Sequence, residues 1–112
     1  MEDDLLRNAD EFLASGEENI ARRRYNAAVS DFFKAVVILC DRRLYGEMRV
    51  LPKNHTERFD LLRRHLPALH RRVSALFRTY TRSYNLRSTK EEAAMVKTYA
   101  IELRSAAAAE GH

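Results

Sequence analysis

Apolar positions recur every three or four residues along almost the whole chain, and no stretch sustains the period-two alternation of a half-buried strand. Leu6, Ala9, Leu13, Gly16 and Ile20 predict an amphipathic helix over residues 3–23. Gly16 falls on its apolar stripe, where glycine costs about 1 kcal/mol against alanine. It marks either the close approach of a neighbouring helix or a break. From Arg24 to Tyr45 the apolar face widens, with Tyr25, Ala28, Val29, Phe32, Val36 and Leu39 as one stripe. Phe33, Val37, Cys40 and Leu44 extend it to about 200° of the helical wheel, twice the width of an ordinary surface helix. Such a helix must touch several neighbours and is expected at the centre of a bundle, ending at Gly46.

Residues 46–54 read as a loop. Asn54 or Thr56 can cap a short helix running to His65, and Pro67 suits the first turn of a helix over residues 67–85. The box Ser88-Thr89-Lys90-Glu91 predicts the start of a last helix with Met95, Val96, Tyr99, Leu103 and Ala106 on one face. The fold class expected is all-α: an up-and-down bundle of four long helices plus one short one. It forms a single domain over residues 1–105, with a fraying tail over 106–112.

Composition narrows the class. With 46% hydrophobic residues, three glycines and two prolines among 112 residues, the chain is too apolar for disorder and too poor in glycine for a low-complexity segment. The longest strictly apolar run, Ala35 to Cys40, is far short of the roughly 20 residues of a membrane span. Cys40 is the single cysteine, and the start of the chain is acidic where a secretory signal is basic. A cytoplasmic protein is expected.

The net charge of +4 conceals a strong polarity. Residues 1–21 hold seven acids against one base, and residues 42–87 hold twelve bases against three acids. Sixteen of the twenty bases are arginine, whose planar fork suits phosphate or carboxylate. On the helix expected at 67–85, Leu66, Leu69, Val73, Leu76, Phe77, Tyr80 and Tyr84 share one face, while Arg71, Ala75, Arg78 and Arg82 follow each other on the opposite side. The tyrosines should face a core or an interface, and the arginines form an outward stripe. Basic and aromatic side chains that diverge in this way do not make a base-stacking platform.

Nothing else assembles into chemistry. His65 and His70 are five residues apart and not on one helix face, His-Glu-x-x-His is absent, and no cysteine pair exists, so no metal site is expected. The glycines stand alone rather than in a phosphate cradle, and no cofactor is called for. His55, at the entry to the short helix, is read as helping to cap it.

The run Ala21-Arg22-Arg23-Arg24-Tyr25-Asn26-Ala27-Ala28-Val29-Ser30-Asp31-Phe32-Phe33 resembles the junction of the first two helices in HEPN domains (higher eukaryotes and prokaryotes nucleotide-binding). Leu51-Pro52-Lys53-Asn54-His55-Thr56 is similar to that family's Pro-Lys-x-His loop, and Arg82 to Arg87 falls where its fourth helix ends. The resemblance covers residues 1–105 and implies a four- or five-helix bundle that pairs as a two-fold dimer. Many members are metal-independent ribonucleases with an Arg-x(4–6)-His motif; others bind nucleotides or accompany small nucleotidyltransferases. At the motif position this chain reads Arg78-Thr79-Tyr80-Thr81-Arg82-Ser83-Tyr84, with serine or tyrosine where the proton-shuttling histidine would fall. The spacing matches that do occur (Arg49 to His55, Arg58 to His65, Arg63 or Arg64 to His70) lie elsewhere and lack the small polar residue after the arginine.

The resulting expectation is a non-catalytic, homodimeric binding module. It would present Arg71, Arg78, Arg82, Tyr84 and Arg87 to a nucleotide, RNA or an acidic protein. The alternatives are an accessory subunit, of toxin–antitoxin type, for a separate minimal nucleotidyltransferase, and a metal-independent ribonuclease.

Overall fold

A computed structural model describes residues 1–110. Five helices account for the secondary structure: α1 (Glu2–Ala21), α2 (Tyr25–Met48), α3 (His55–His65), α4 (Pro67–Arg82) and α5 (Lys90–Glu110). No strand occurs among the described residues. α2 packs against all four other helices, as its wide apolar face demands. Its Val29, Phe32, Phe33, Val36, Cys40 and Leu44 are sealed from solvent together with Leu62 of α3, Val73 of α4 and Val96 of α5.

α1 and α2 form a tight hairpin over Arg22–Arg24, in which Arg23 takes a left-handed φ of 59°. Gly16 is buried in α1 and does not break it, because the ring of Phe32 lies directly on it. The acids Glu2, Asp3 and Asp4 occupy the first turn of α1, where they complement the positive end of the helix dipole. Further along, Asp10 accepts a two-pronged contact from Arg104 (2.7 and 3.1 Å), and Glu17 pairs with Lys97 at 2.8 Å. The acidic first helix is thus neutralised in part by α5 of the same chain.

Several boundaries differ from the sequence reading. α2 passes through Gly46 and ends at Met48, with Arg49 rather than a glycine in the left-handed capping conformation at φ 58°. α4 ends at Arg82, three residues early. The capping box of α5 is one residue later than expected: Thr89 Oγ1 accepts from the Glu92 amide (3.0 Å), and Glu92 Oε1 accepts from the Thr89 amide (2.9 Å). Of the face expected for α5, Val96 and Tyr99 are buried, whereas Met95 is 48% exposed at its edge. The alanine run expected to fray is helical to Glu110, and Ala107, not Ala106, is buried against Ala9 and Leu39. Gly111 and His112 lie outside the described residues. No helix among the described residues is long and apolar enough to cross a membrane.

Candidate functional site

α4 begins at Pro67, whose missing N–H costs nothing in a first turn, and runs for 16 residues without a single acid. Its apolar edge faces inward. Val73 and Leu76 are buried, and Leu69, Phe77 and Tyr80 pack against the core at its margin. Phe33 and Tyr80 stack with centroids 4.7 Å apart, and Phe77 lies 5.1 Å from Phe59 of α3. This aromatic seam fixes the roll of α4 and leaves Arg71, Arg78 and Arg82 exposed on the other side, as expected.

The five residues singled out from the sequence do not form one cluster. Arg82 and Arg87 border a hollow of about 190 Å3 between the end of α4 and the start of α5, together with Thr79, Leu86, Ser88 and Glu92. Arg82 pairs with Glu92 at 3.1 Å, with side chains 59% and 30% exposed. Arg78 stands one turn before Arg82. Arg71 is about 16 Å from it along the helix axis at 1.5 Å per residue. Arg71, Arg78 and Arg87 make no ion pair among the described residues.

The core position open to Tyr84 in the sequence reading is not found: it is 70% exposed in the turn after α4, still beside Tyr80 with ring centroids 5.4 Å apart. Its hydroxyl meets that of Tyr80 at 2.7 Å, and this contact, with burial behind it, pushes the Tyr80 phenol up to about 12. The turn that carries Tyr84 and Arg87 is held from a distance by Asn26 at the start of α2. The Asn26 Nδ2 donates to the carbonyls of Ser83 (3.0 Å) and Leu86 (3.1 Å), and its Oδ1 accepts from the Ser88 amide (2.6 Å).

A second polar group, not foreseen from the sequence, lies between α2 and α3. Arg58 forks onto Asp41 (Nε to Oδ1 2.7 Å, Nη2 to Oδ2 2.9 Å), with the two side chains only 10% and 13% exposed. Its Nη1 approaches His55 Nδ1 at 2.8 Å. Arginine only donates, so Nδ1 is the acceptor and the neutral ring carries its proton on Nε2. Burial, and then the Arg58 charge, hold His55 below its ordinary value. Asn54 caps α3 by accepting from the Glu57 amide at 2.9 Å, so His55 is the first helical residue instead of a cap. Its ring packs 5.3 Å from Phe77.

The other motif matches are engaged elsewhere. Arg63 and Arg64 share Asp60, each at 2.7 Å, and Arg49 lies over the ring of Tyr45 at 5.4 Å. Cys40 is buried, and its thiol is pushed up to about 12 by burial, which keeps it protonated and inert at neutral pH. No group of three or more metal-ligating side chains occurs among the described residues. Compared with protein-family models, with curated proteins and with solved structures, the chain finds no match.

Proposed function

We propose that this protein is a non-catalytic binding module, HEPN-like in fold, that holds a single-stranded RNA along α4 through Arg71, Arg78, Arg82 and Arg87. The observation that carries this reading is the absence of any acid from Leu61 to Lys90, a stretch whose exposed arginines on α4 and the turn after it include these four. The stripe on α4 covers about 16 Å, enough for several phosphates of one strand, and it offers no enclosed cradle for a single nucleotide. Arg82 is held by Glu92 in an exposed pair worth at most about 1 kcal/mol, so a phosphate can take that guanidinium over. By the resemblance, the module acts as a two-fold dimer; sedimentation of a monomer at micromolar concentration would remove that part of the proposal.

Fluorescence anisotropy with a labelled single-stranded RNA tests the reading at low salt. The wild type should bind, and the fourfold Arg71, Arg78, Arg82 and Arg87 alanine variant should lose at least about a hundredfold in affinity, a modest loss for four charge-assisted contacts. Binding of a mononucleotide or an acidic peptide in place of RNA would reassign the partner.

The accessory-subunit reading gains from one observation, the 70% exposure of Tyr84, which leaves its ring accessible to a modifying enzyme. A nucleotidyl group on Tyr84, found by mass spectrometry of protein isolated from its native cells, would favour it. Unmodified Tyr84 in those cells would count against it.

A further inference from the structure

A larger cavity, of about 490 Å3, opens at the corner where α3 gives way to α4. Leu66, Leu69 and Tyr99 supply much of its apolar wall, and Arg43, Arg72 and His65 also line it. No carboxylate lies among the lining residues, so the cavity is apolar and cationic at once. Its size falls in the range of about 300–1,000 Å3 typical of small-ligand sites, and its lining has their character: mostly apolar, with a few polar groups to fix orientation.

Arg72 is positioned rather than loose. Its guanidinium carbon lies 4.3 Å from the centroid of the Tyr99 ring. A guanidinium resting on an aromatic face keeps its N–H groups in its own plane, available to an oxyanion in bidentate geometry. Tyr99 is 7% exposed, and burial pushes its phenol up to about 12, so beside Arg72 it remains a neutral, apolar platform at neutral pH. Arg43 adds positive charge to the same wall while pairing with Glu47 at 3.5 Å. Arg72 is one residue, about 100° of helix, away from Arg71, so this cavity is separate from the proposed RNA stripe.

We infer that this cavity binds a small amphipathic anion, an aliphatic or aromatic body with one carboxylate, sulfonate or phosphate head. The body displaces water from Leu66, Leu69 and Tyr99, and the head meets Arg72. Neither part suffices alone: a neutral hydrocarbon leaves the Arg72 guanidinium without a counter-charge, and a bare anion leaves the apolar wall wet.

The test is a fluorescence titration of the full chain with 8-anilinonaphthalene-1-sulfonate, followed by displacement with decanoate, decanol or acetate. Decanoate should displace the probe from one site, with decanol and acetate each at least about tenfold weaker. Arg72→Gln should weaken probe and decanoate by about tenfold, the loss of one charge-assisted contact. Ala68→Trp, at an exposed position that also lines the cavity, should block both, with helical circular dichroism unchanged in each variant. The inference is overturned if decanol competes as well as decanoate, or if both variants bind the probe like the wild type. It is also overturned if probe binding falls as the protein self-associates, which would make a second copy the occupant.

Discussion

The ring of Phe32 rests on the backbone of Gly16 so closely that a Cβ there would lie 2.7 Å from Cζ and 2.8 Å from both Cε atoms. Phe32 is fully buried and has no room to swing aside. Gly16→Ala gains up to about 1 kcal/mol of helix propensity but forces this contact apart, and overpacking of this kind costs roughly 1–3 kcal/mol. Urea denaturation should therefore find the variant destabilised, by about 1 kcal/mol net. Combining it with Phe32→Leu should recover part of the loss, since the two changes share one space.

Asp41 and Arg58 form the pair that ties α3 to the central helix. Asp41→Asn leaves the Arg58 charge nearly enclosed with a neutral partner, and breaking a buried pair on one side costs roughly 3 kcal/mol or more. Exchanging both residues for apolar ones of similar volume should cost much less. Denaturation of the single and double variants separates these outcomes.

His55 gives the fold a pH dependence with a definite sign. Its folded value lies below the ordinary 6.5, so the unfolded chain takes up the proton first as pH falls. The contribution of neutral His55 is complete above 6.5 and is lost progressively as pH drops through its lowered folded value. Stability measured at pH 7.5 and 5.5 should decline for the wild type. The decline should be smaller for His55→Gln, which does not titrate.

Asn26 connects the start of α2 to the turn that bears Tyr84 and Arg87 by three hydrogen bonds across about sixty residues of chain. Asn26→Ala should cost roughly 1–3 kcal/mol by leaving two carbonyls and one amide without this partner. It should also weaken RNA binding, because Arg87 is then no longer held beside Arg82. Anisotropy at a temperature where the variant remains folded checks the second effect.

Much of this was legible in the sequence because it is local. The 3.6-residue period locates the four long helices, capping residues place the short α3, Pro67 and Asn54 mark two starts, and the width of the apolar face identifies α2 as central. The failures have particular causes. Gly46 suggested a stop, yet Arg49 closes α2 in the same left-handed conformation, because a cap depends on the chain's exit path as well as on residue type. Ser88 and Thr89 are both able to cap, and Thr89 with Glu92 takes that role because their side chains reach each other's amides. Tyr84 keeps its place beside Tyr80, as the spacing predicts, but lies two residues past the end of α4, where its ring is 70% exposed. Asp41 with Arg58, and Asn26 with the 83–88 turn, are pairings between distant segments that periodicity does not encode. At the proposed RNA surface, the outward direction of Arg71, Arg78 and Arg82 was readable from spacing, whereas the hollow joining Arg82 to Arg87 required the fold.

The dependence of RNA affinity on salt tests the central claim most directly. If the four arginines contact phosphates of a single strand, log Kd should rise with log salt at a slope of about 3, from roughly 0.7 per phosphate neutralised. Arg78→Ala with Arg82→Ala should reduce that slope to about 1.4. No binding at low salt, or a slope unchanged by the double substitution, would contradict the account.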